Sequence, residues 1–240
     1  MLKRINEIED LNKYTSILIK SILFKGIGKD EISSMIYCLD PKICTYKKNE
    51  YIALAGDRYI GVGILVNGSA SISKEKFSGS RIIMKIIEPG ELFGEIIAFS
   101  NEANWPVTIQ ALEESTVFFF GKDKITGSCS RNCPWHMLII ENMLRIVSER
   151  AILLNKKVEY LSIKSIRGKI STYLLEQYKK TGNKIFMLPL KRVEMAEFLN
   201  VSRPSMSREM CRMRDEGIID FHRSSVRIID LDALKKMAES

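Results

Sequence analysis

Residues 191–217 decide the fold, and they read KRVEMAEFLNVSRPSMSREMCRMRDEG. The first third has apolar residues at helical spacing, and the second half places Met206, Met210 and Met213 on one helical face. Between the two patterns, Ser202 is a favourable N-cap because its hydroxyl can accept a hydrogen bond from a backbone amide of the first turn. The glycine at the end favours helix termination. The stretch therefore predicts two helices joined by a tight turn.

The neighbouring segments complete a winged helix-turn-helix. Apolar segments at 218–221 and 226–229 flank a polar, basic tip at 222–225, which predicts a β-hairpin wing. Upstream, the sequence predicts an amphipathic helix at 166–179 and a short strand at 184–188. Helix, turn, helix and hairpin in this order are typical of the winged helix-turn-helix.

The start of the second helix carries residues suited to DNA. Its exposed first turns display Arg203, Ser205, Ser207 and Arg208, the helix dipole favours phosphate, and arginine can bond guanine O6 and N7 as a fork. Residues 163–240 carry 16 basic and 10 acidic side chains, in a chain whose net charge is +8. The alternative is a protein–protein module, which would predict a neutral second helix. The sequence therefore predicts double-stranded DNA as a partner.

A long helix with a narrow apolar stripe precedes this unit. The stripe follows the 3-4 spacing of a heptad seam, and charged residues occupy its flanks. The alternative is a core helix that covers its own domain, but such a helix usually has a broader apolar face. We therefore expect a homodimeric coiled coil. The seam residues are Met137, Ile140, Leu144, Val147, Ala151, Leu154, Val158 and Leu161.

Short strands dominate the chain from Ile43 to Gly121. They predict an antiparallel β-roll of jelly-roll type, preceded by helices at 11–22 and 30–39. The Asn67-Gly68 dipeptide predicts a type I′ hairpin turn with positive φ at both residues. The fold class is thus α+β. The predicted strands are 43–46, 51–55, 59–66, 69–73, 81–87, 107–111 and 116–120.

The sequence from Val201 to Arg208, followed by 213–219, resembles the Crp/Fnr superfamily of bacterial transcription regulators, and the match covers nearly the whole chain. The resemblance implies an effector-sensing roll (1–132), a dimerisation helix (133–162) and a DNA-binding winged helix-turn-helix (163–240). It implies base contacts by the two arginines of the S-R-x-x-x-x-R pattern. Pro204 stands where cyclic-AMP-responsive members have glutamate, so the half-site should differ there. The expected DNA-binding residues are Arg192, a phosphate contact, and Ser202, Arg203, Ser205, Ser207, Arg208 and Arg223.

Residues 89–97, PGELFGEII, resemble the phosphate-binding cassette of the same superfamily. In cyclic-nucleotide binders an arginine and a small hydroxyl residue follow about ten positions later, where this chain has Trp105 and Pro106. A buried phosphate without a cation is poorly compensated, so we expect that cyclic AMP does not bind. An apolar or aromatic effector fits better, although a tryptophan in a roll is often simply core. The effector-pocket candidates are Phe93, Gly94 for close approach, Glu95 for a ribose hydroxyl, Trp105 and Thr108.

Five cysteines in a chain without an export signal indicate reduced thiols. Cys129, Cys133 and His136 lie close together and are candidate ligands for zinc, iron or haem, which leaves a redox or metal sensor as the alternative function. The spacing is not that of the family's iron–sulfur branch, and Cys38 and Cys44 supply only two thiols. Buried structural cysteines are the interpretation that we favour. The sequence requires no cofactor.

The sequence contains no GxSxG, Walker A, HExxH or dinucleotide fingerprint, so we expect no enzyme activity. No segment reaches the roughly 20 apolar residues of a membrane span, and we expect a cytoplasmic protein. The expected partners are a palindromic operator, a second copy of the chain, an unidentified small-molecule effector and RNA polymerase. The operator's half-sites should lie about one helical turn apart.

Overall fold

The computed structural model describes residues 2–3, 11–75, 81–127 and 135–239. The chain forms two compact units, Met1–Glu149 and Arg150–Ser240, and each is described by itself. Among the described residues, no helix is long and apolar enough to cross a membrane.

The first unit contains an antiparallel β-roll, as the sequence predicts. One sheet has the strand order β1-β2-β9-β4-β7, and the other has the order β3-β8-β5-β6. The strands are β1 (Leu2–Lys3), β2 (Lys42–Tyr46), β3 (Tyr51–Ala53), β4 (Val62–Asn67), β5 (Ala70–Glu75), β6 (Arg81–Ile87), β7 (Leu92–Phe93), β8 (Thr108–Ala111) and β9 (Ser115–Phe120).

Strand β9 explains how the roll is filled, because all six of its residues are buried. Alternate side chains of a strand point to opposite faces. Accordingly, Phe118 and Phe120 join the core under the N-terminal helices, whereas Val117 and Phe119 join a second core inside the roll. An almost uninterrupted apolar strand is what a position between two cores requires.

The first helix of this unit is shorter than the sequence predicts, whereas the second begins at Lys29, one residue before its predicted start. The predicted helix 11–22 ends at residue 18, because Ser21 is extended (φ −71°, ψ 135°), and a 3-10 turn follows at Ile22–Phe24. Two short helices after β7 and β9 are absent from the sequence prediction. The helices are α1 (Leu11–Leu18), α2 (Lys29–Leu39), α3 (Glu95–Ala98) and α4 (Lys122–Thr126).

The prediction of a type I′ hairpin at Asn67-Gly68 is wrong. Strands β4 and β5 do not pair: β4 pairs with β7 and β9, and β5 pairs with β6 and β8. Of the two residues, Gly68 has positive φ (+84°) and Asn67 does not. A Cβ at Gly68 would lie 2.4 Å from the Glu114 carbonyl oxygen. The glycine is therefore needed where the chain turns from one sheet into the other.

The predicted strand 59–66 begins three residues late, at Val62. Before it, the chain pairs with a loop, since the Tyr59 amide donates to Ala103 O and the Trp105 amide donates to Asp57 O, both at 2.8 Å. At Gly61, φ is +151° and a Cβ would lie 2.6 Å from the Phe120 carbonyl oxygen. These contacts leave residues 57–61 outside the ladder.

The second unit contains the winged helix-turn-helix that the sequence predicts. Its three-stranded antiparallel sheet has the order β10-β12-β11. A C-terminal helix that is not among the predicted elements packs against the first helix of this unit. The elements are α6 (Ile166–Thr181), β10 (Ile185–Met187), α7 (Arg192–Phe198), α8 (Arg203–Asp215), β11 (Ile219–His222), β12 (Ser225–Ile228) and α9 (Leu231–Ala238).

One long helix, α5 (His136–Ser162), contributes to both units, and the division between them falls within it. In the first unit, buried Asn142 donates to the carbonyl oxygens of Leu23 (3.0 Å) and Lys25 (2.8 Å). In the second unit, Tyr160 is buried and packs edge-on against Phe198 at 5.0 Å. The boundaries at 132 and 162 remain predictions.

Candidate functional site

Helix α8 is held by its methionines and presents its polar residues outward. Met206, Met210 and Met213 are buried in the core of the second unit, as their spacing predicts. The Ser202 hydroxyl accepts a hydrogen bond from the Ser205 amide at 3.2 Å and thus caps the helix. Arg203 and Arg208 consequently project from the exposed amino-terminal end of the helix.

The four arginines of this helix divide into two pairs. Arg212 and Arg214 are engaged by neighbouring acids, Glu209 at 3.4 Å and Asp215 at 3.3 Å. Arg203 makes no hydrogen bond or ion pair with any residue that the structure describes. Within the part of the chain that the structure describes, Arg208 donates only to the Ser205 hydroxyl, at 3.4 Å. The two arginines at the amino-terminal end are thus the ones available to a ligand, and the half-buried Ser207 lies between them.

Acidic residues on the back of α8 tie it to α6. The Arg167 guanidinium donates to both Glu216 carboxylate oxygens at 2.7 Å and also to Glu209. These hydrogen bonds raise the pKa of Arg167 and lower the pKa of Glu216 below its ordinary value. The acidic groups that face α6 are therefore neutralised, and the unpaired positive charge of α8 lies at its amino-terminal end.

The wing turns at Arg223-Ser224, between the paired residues His222 and Ser225. Arg223 has φ +52°, a left-handed conformation, and is exposed. The Leu188 amide donates to Ser224 O at 2.8 Å and fastens the turn to the end of β10. Arg223 therefore projects from a fixed tip.

Arg192 lies at the start of α7, but its guanidinium is directed toward the wing and α8. It lies over the Phe221 ring at 4.9 Å from the centroid, and Nη2 donates to Arg223 O at 3.3 Å. Nη1 donates to Met210 Sδ. The predicted phosphate contact would have to be made from this half-buried position.

Three of the effector-pocket candidates lie together in the roll. Gly94 has φ +80°, and a Cβ there would lie 2.7 Å from Trp105. The Trp105 ring is only 3% exposed and packs against Phe93 at 6.1 Å and Tyr59 at 5.0 Å. The space beside Gly94 is thus occupied by the chain's own aromatic ring. Tyr59 was missed by sequence reasoning, because it was assigned to a strand.

Glu95 and Thr108 have different surroundings. Glu95 is 1% exposed at the start of α3. Burial, and after it the negative charge of Glu95, raises the pKa of the Tyr59 hydroxyl. Thr108 lies on β8, where its hydroxyl accepts from the Ala55 amide at 3.2 Å. The structure therefore gives Thr108 a role in joining backbone segments.

The heptad seam is exposed along α5. Seven of its eight residues are exposed, Leu144 by 64% and Leu154 by 63%, and Ile140 is half-buried. A neighbouring face of the first half, with Ile139, Met143 and Ile146, is buried in the first unit. The helix thus has one face for its own chain and a second apolar face left uncovered.

Two of the metal-site candidates, Cys129 and Cys133, lie outside the described residues. His136 is described, and its Nε2 lies 3.0 Å from the Ile125 carbonyl oxygen. Within the described ranges, no three His, Cys, Asp or Glu residues cluster as metal ligands would. Among the described residues, Cys38, Cys44 and Cys211 are half-buried and form no disulfide. A metal or redox site at 129–136 remains a prediction.

Two family profiles match the chain. Residues 43–132 match the cyclic nucleotide-binding domain, and residues 168–237 match the Crp-like helix-turn-helix domain. The cyclic AMP receptor protein of Thermus thermophilus is 20% identical over 219 residues, which cover 91% of this chain and 97% of that protein. The anaerobic regulatory protein of Bacillus subtilis is 23% identical over 208 residues, covering 83% of this chain and 86% of that protein.

Solved structures share the same architecture. The catabolite activator protein of Thermus thermophilus has a TM-score of 0.52 at 20% identity, covering 91% of this chain and 99% of that chain. The sensor domain of the regulator DNR from Pseudomonas aeruginosa has a TM-score of 0.50 at 18% identity, covering 66% of this chain and 98% of that chain. Both likenesses agree with the fold described above.

Proposed function

Because the chain belongs to the Crp/Fnr family of transcription regulators, which are not enzymes, we propose that it acts as a homodimer on a palindromic operator under the control of an effector. Its helix-turn-helix domain binds DNA. We propose that this effector is a small molecule other than cyclic AMP. RNA polymerase is the further protein partner, and the cytoplasm, where bacterial DNA is transcribed, is the proposed location.

One observation carries the assignment of DNA-binding residues: the amino-terminal end of α8 holds two exposed arginines whose guanidinium groups form no ion pair with any acid among the described residues. A helix end of this kind attracts phosphate, and arginine forks discriminate guanine in the major groove. Arg203 and Arg208 are the base-reading residues that we propose. Ser202, Ser205, Ser207 and Arg223 surround them as contacts to phosphate or to the neighbouring groove.

The uncovered seam of α5 supports the homodimer. Large apolar side chains at strict heptad positions are stabilised when a second helix buries them. A parallel pair of these helices would relate two copies of α8 by a twofold axis. The two copies should then engage half-sites about 34 Å apart.

Trp105 supports an effector other than cyclic AMP. A bound phosphate would need the space beside Gly94, which the Trp105 ring fills, and it would need a cation where this chain has no arginine. The residues present therefore do not fit a cyclic phosphate. Calorimetric titration of the purified protein with cyclic AMP should give no binding heat at micromolar concentrations. Micromolar or tighter binding would contradict the proposal.

Selection from a random duplex library tests the central claim. The full-length protein should enrich one palindromic sequence, and its binding to that sequence should weaken steeply as salt rises, because bound phosphates release counterions. Enrichment of a non-palindromic sequence would argue against the dimer. Failure to enrich any sequence would refute recognition of a specific operator.

A further inference from the structure

Arg192 contacts three elements of the winged helix-turn-helix at once. Its side chain extends from the start of α7. The guanidinium lies over the Phe221 ring of β11 and donates to the Arg223 carbonyl oxygen at the wing tip. Its other terminal nitrogen donates to Met210 Sδ on α8. An arginine whose role is to bind phosphate would be expected to expose its guanidinium to solvent, whereas this one has partners on three elements.

The surroundings of this guanidinium explain why it stays there. Burial lowers the pKa of Arg192, which shows that the charged group is partly removed from water. Such a group must recover its lost hydration through protein contacts. The aromatic face, the carbonyl oxygen and the sulfur provide them, and cation–π contacts strengthen as water is excluded.

Phe221 extends the connection to α8 by a second route. Arg214, on the last turn of α8, lies over the same ring at 5.5 Å from its centroid. The ring is half-buried and lies within contact of guanidinium groups from both α7 and α8. One aromatic side chain of the wing is thus fixed to both helices of the helix-turn-helix.

The contact with Arg223 links this arrangement to DNA. Arg223 turns its carbonyl oxygen toward Arg192 and adopts φ +52°, while its side chain is exposed at the tip. If Arg192 were removed, the tip would lose the donor that holds this turn in place. The side chain of Arg223 would then be presented less precisely.

We propose that Arg192 and Phe221 form a wing lock, in which Arg192 is a positioning residue that sets the wing relative to α8 and does not contact phosphate. This inference rests on the proposed DNA recognition by α8 and the wing. It replaces the phosphate contact that the family resemblance implies for Arg192.

Salt dependence separates a positioning role from a phosphate contact. Arg192→Met keeps an unbranched stem but removes the guanidinium and its charge, and Phe221→Leu keeps an apolar side chain without the ring. Each should weaken operator binding about three- to tenfold, the size of a cation–π contact. The slope of log K against log salt should stay at the wild-type value for both. The double variant should bind no more weakly than the weaker single variant.

Arg223→Met is the matched control, since it also removes one wing charge. Its slope should fall by about 0.9 for each subunit that loses a phosphate contact. Phe221→Tyr retains the ring face and should bind like the wild type. In hydroxyl-radical footprints, Arg192→Met should lose protection at the flanking wing positions and keep it over the half-sites.

Two outcomes would overturn the wing lock. A fall of about 0.9 per subunit in the slope of Arg192→Met would show a phosphate contact. Independent, multiplying losses in the double variant would show that the two residues are not coupled. In either case wild-type operator selection would stand. If the wild type selected no operator, the proposed function and the wing lock would both fail. Thermal unfolding of each variant confirms that it is folded.

Discussion

Arg208 projects one turn into α8, beyond the Ser202 cap and its neighbouring serines. Because its guanidinium is exposed and meets only a serine hydroxyl, Arg208→Ala removes a ligand contact without disturbing the core. We expect a loss of about 1 to 3 kcal/mol in operator binding and a relaxed base preference at one position. Affinities for single-base operator variants measure this. Lys236→Ala, which removes an exposed charge on α9, is the control; a loss that is equal for every sequence would contradict the role.

Gly94 and Gly56 allow the packing of Trp105 to be tested. Both have positive φ, +80° and +92°, but a Cβ at Gly94 meets Trp105 whereas one at Gly56 meets open space. Alanine at either position costs about 1 kcal/mol or more for the backbone alone. Gly94→Ala should therefore lower the denaturation midpoint more than Gly56→Ala. Equal midpoints would mean that the ring moves away without cost.

At the scale of elements, the contact between α6 and α8 should depend on pH. The Arg167 hydrogen bonds lower the pKa of Glu216, so their stabilisation is present above the unfolded-state pKa near 4.5 and is lost as pH falls through the folded-state value. Glu216→Gln should reduce stability at neutral pH, and its difference from the wild type should shrink toward pH 3. Denaturant unfolding between pH 3 and 7 measures the difference.

Arg167→Met provides the control for this pH effect, because it removes the cation and leaves the Glu216 carboxyl in place. Its stability should approach that of the wild type over the same acidic range. A difference between wild type and Glu216→Gln that stays constant from pH 3 to 7 would contradict the coupling.

Local signals made α8 predictable from sequence. Its cap at Ser202, its methionine spacing and its terminal Gly217 all act within a few residues of each other, and the structure agrees with each. The Asn67-Gly68 turn failed because a dipeptide does not say which strands pair. The direction of Arg192 could not be predicted either, since its partners come from three separate elements.

At the scale of the whole molecule, we propose that the seam of α5 sets the oligomeric state. Leu154→Glu places a charge in the proposed helix pair and should yield folded monomers with greatly weakened operator binding. Leu153→Glu, one residue away and similarly exposed at 57%, lies outside the seam and should remain dimeric. Sedimentation equilibrium distinguishes the two. Dimers of Leu154→Glu, or monomers of the wild type, would contradict the seam.

The order of the large parts could be predicted from sequence, because each has its own local signal: β-branched and aromatic runs between turn residues for the strands, a seven-residue repeat for the seam and helical spacing of apolar residues for the helices. The packing of the effector-pocket candidates could not be predicted in this way. Trp105 was predicted to stand where an arginine would bind phosphate, but its packing against Tyr59 depends on how residues 57–59 pair with 103–105.

The contacts of the Phe221 ring with Arg192 and Arg214 also bear on protein engineering. A designer who grafts only α8 from another regulator, to retarget this protein to a new promoter, would discard Met210 and Arg214 along with the arginines that we propose to read bases. The host's Phe221 and Arg192 would then face foreign partners. Transplants should therefore move α7, α8 and the hairpin together, as a single interchangeable cassette.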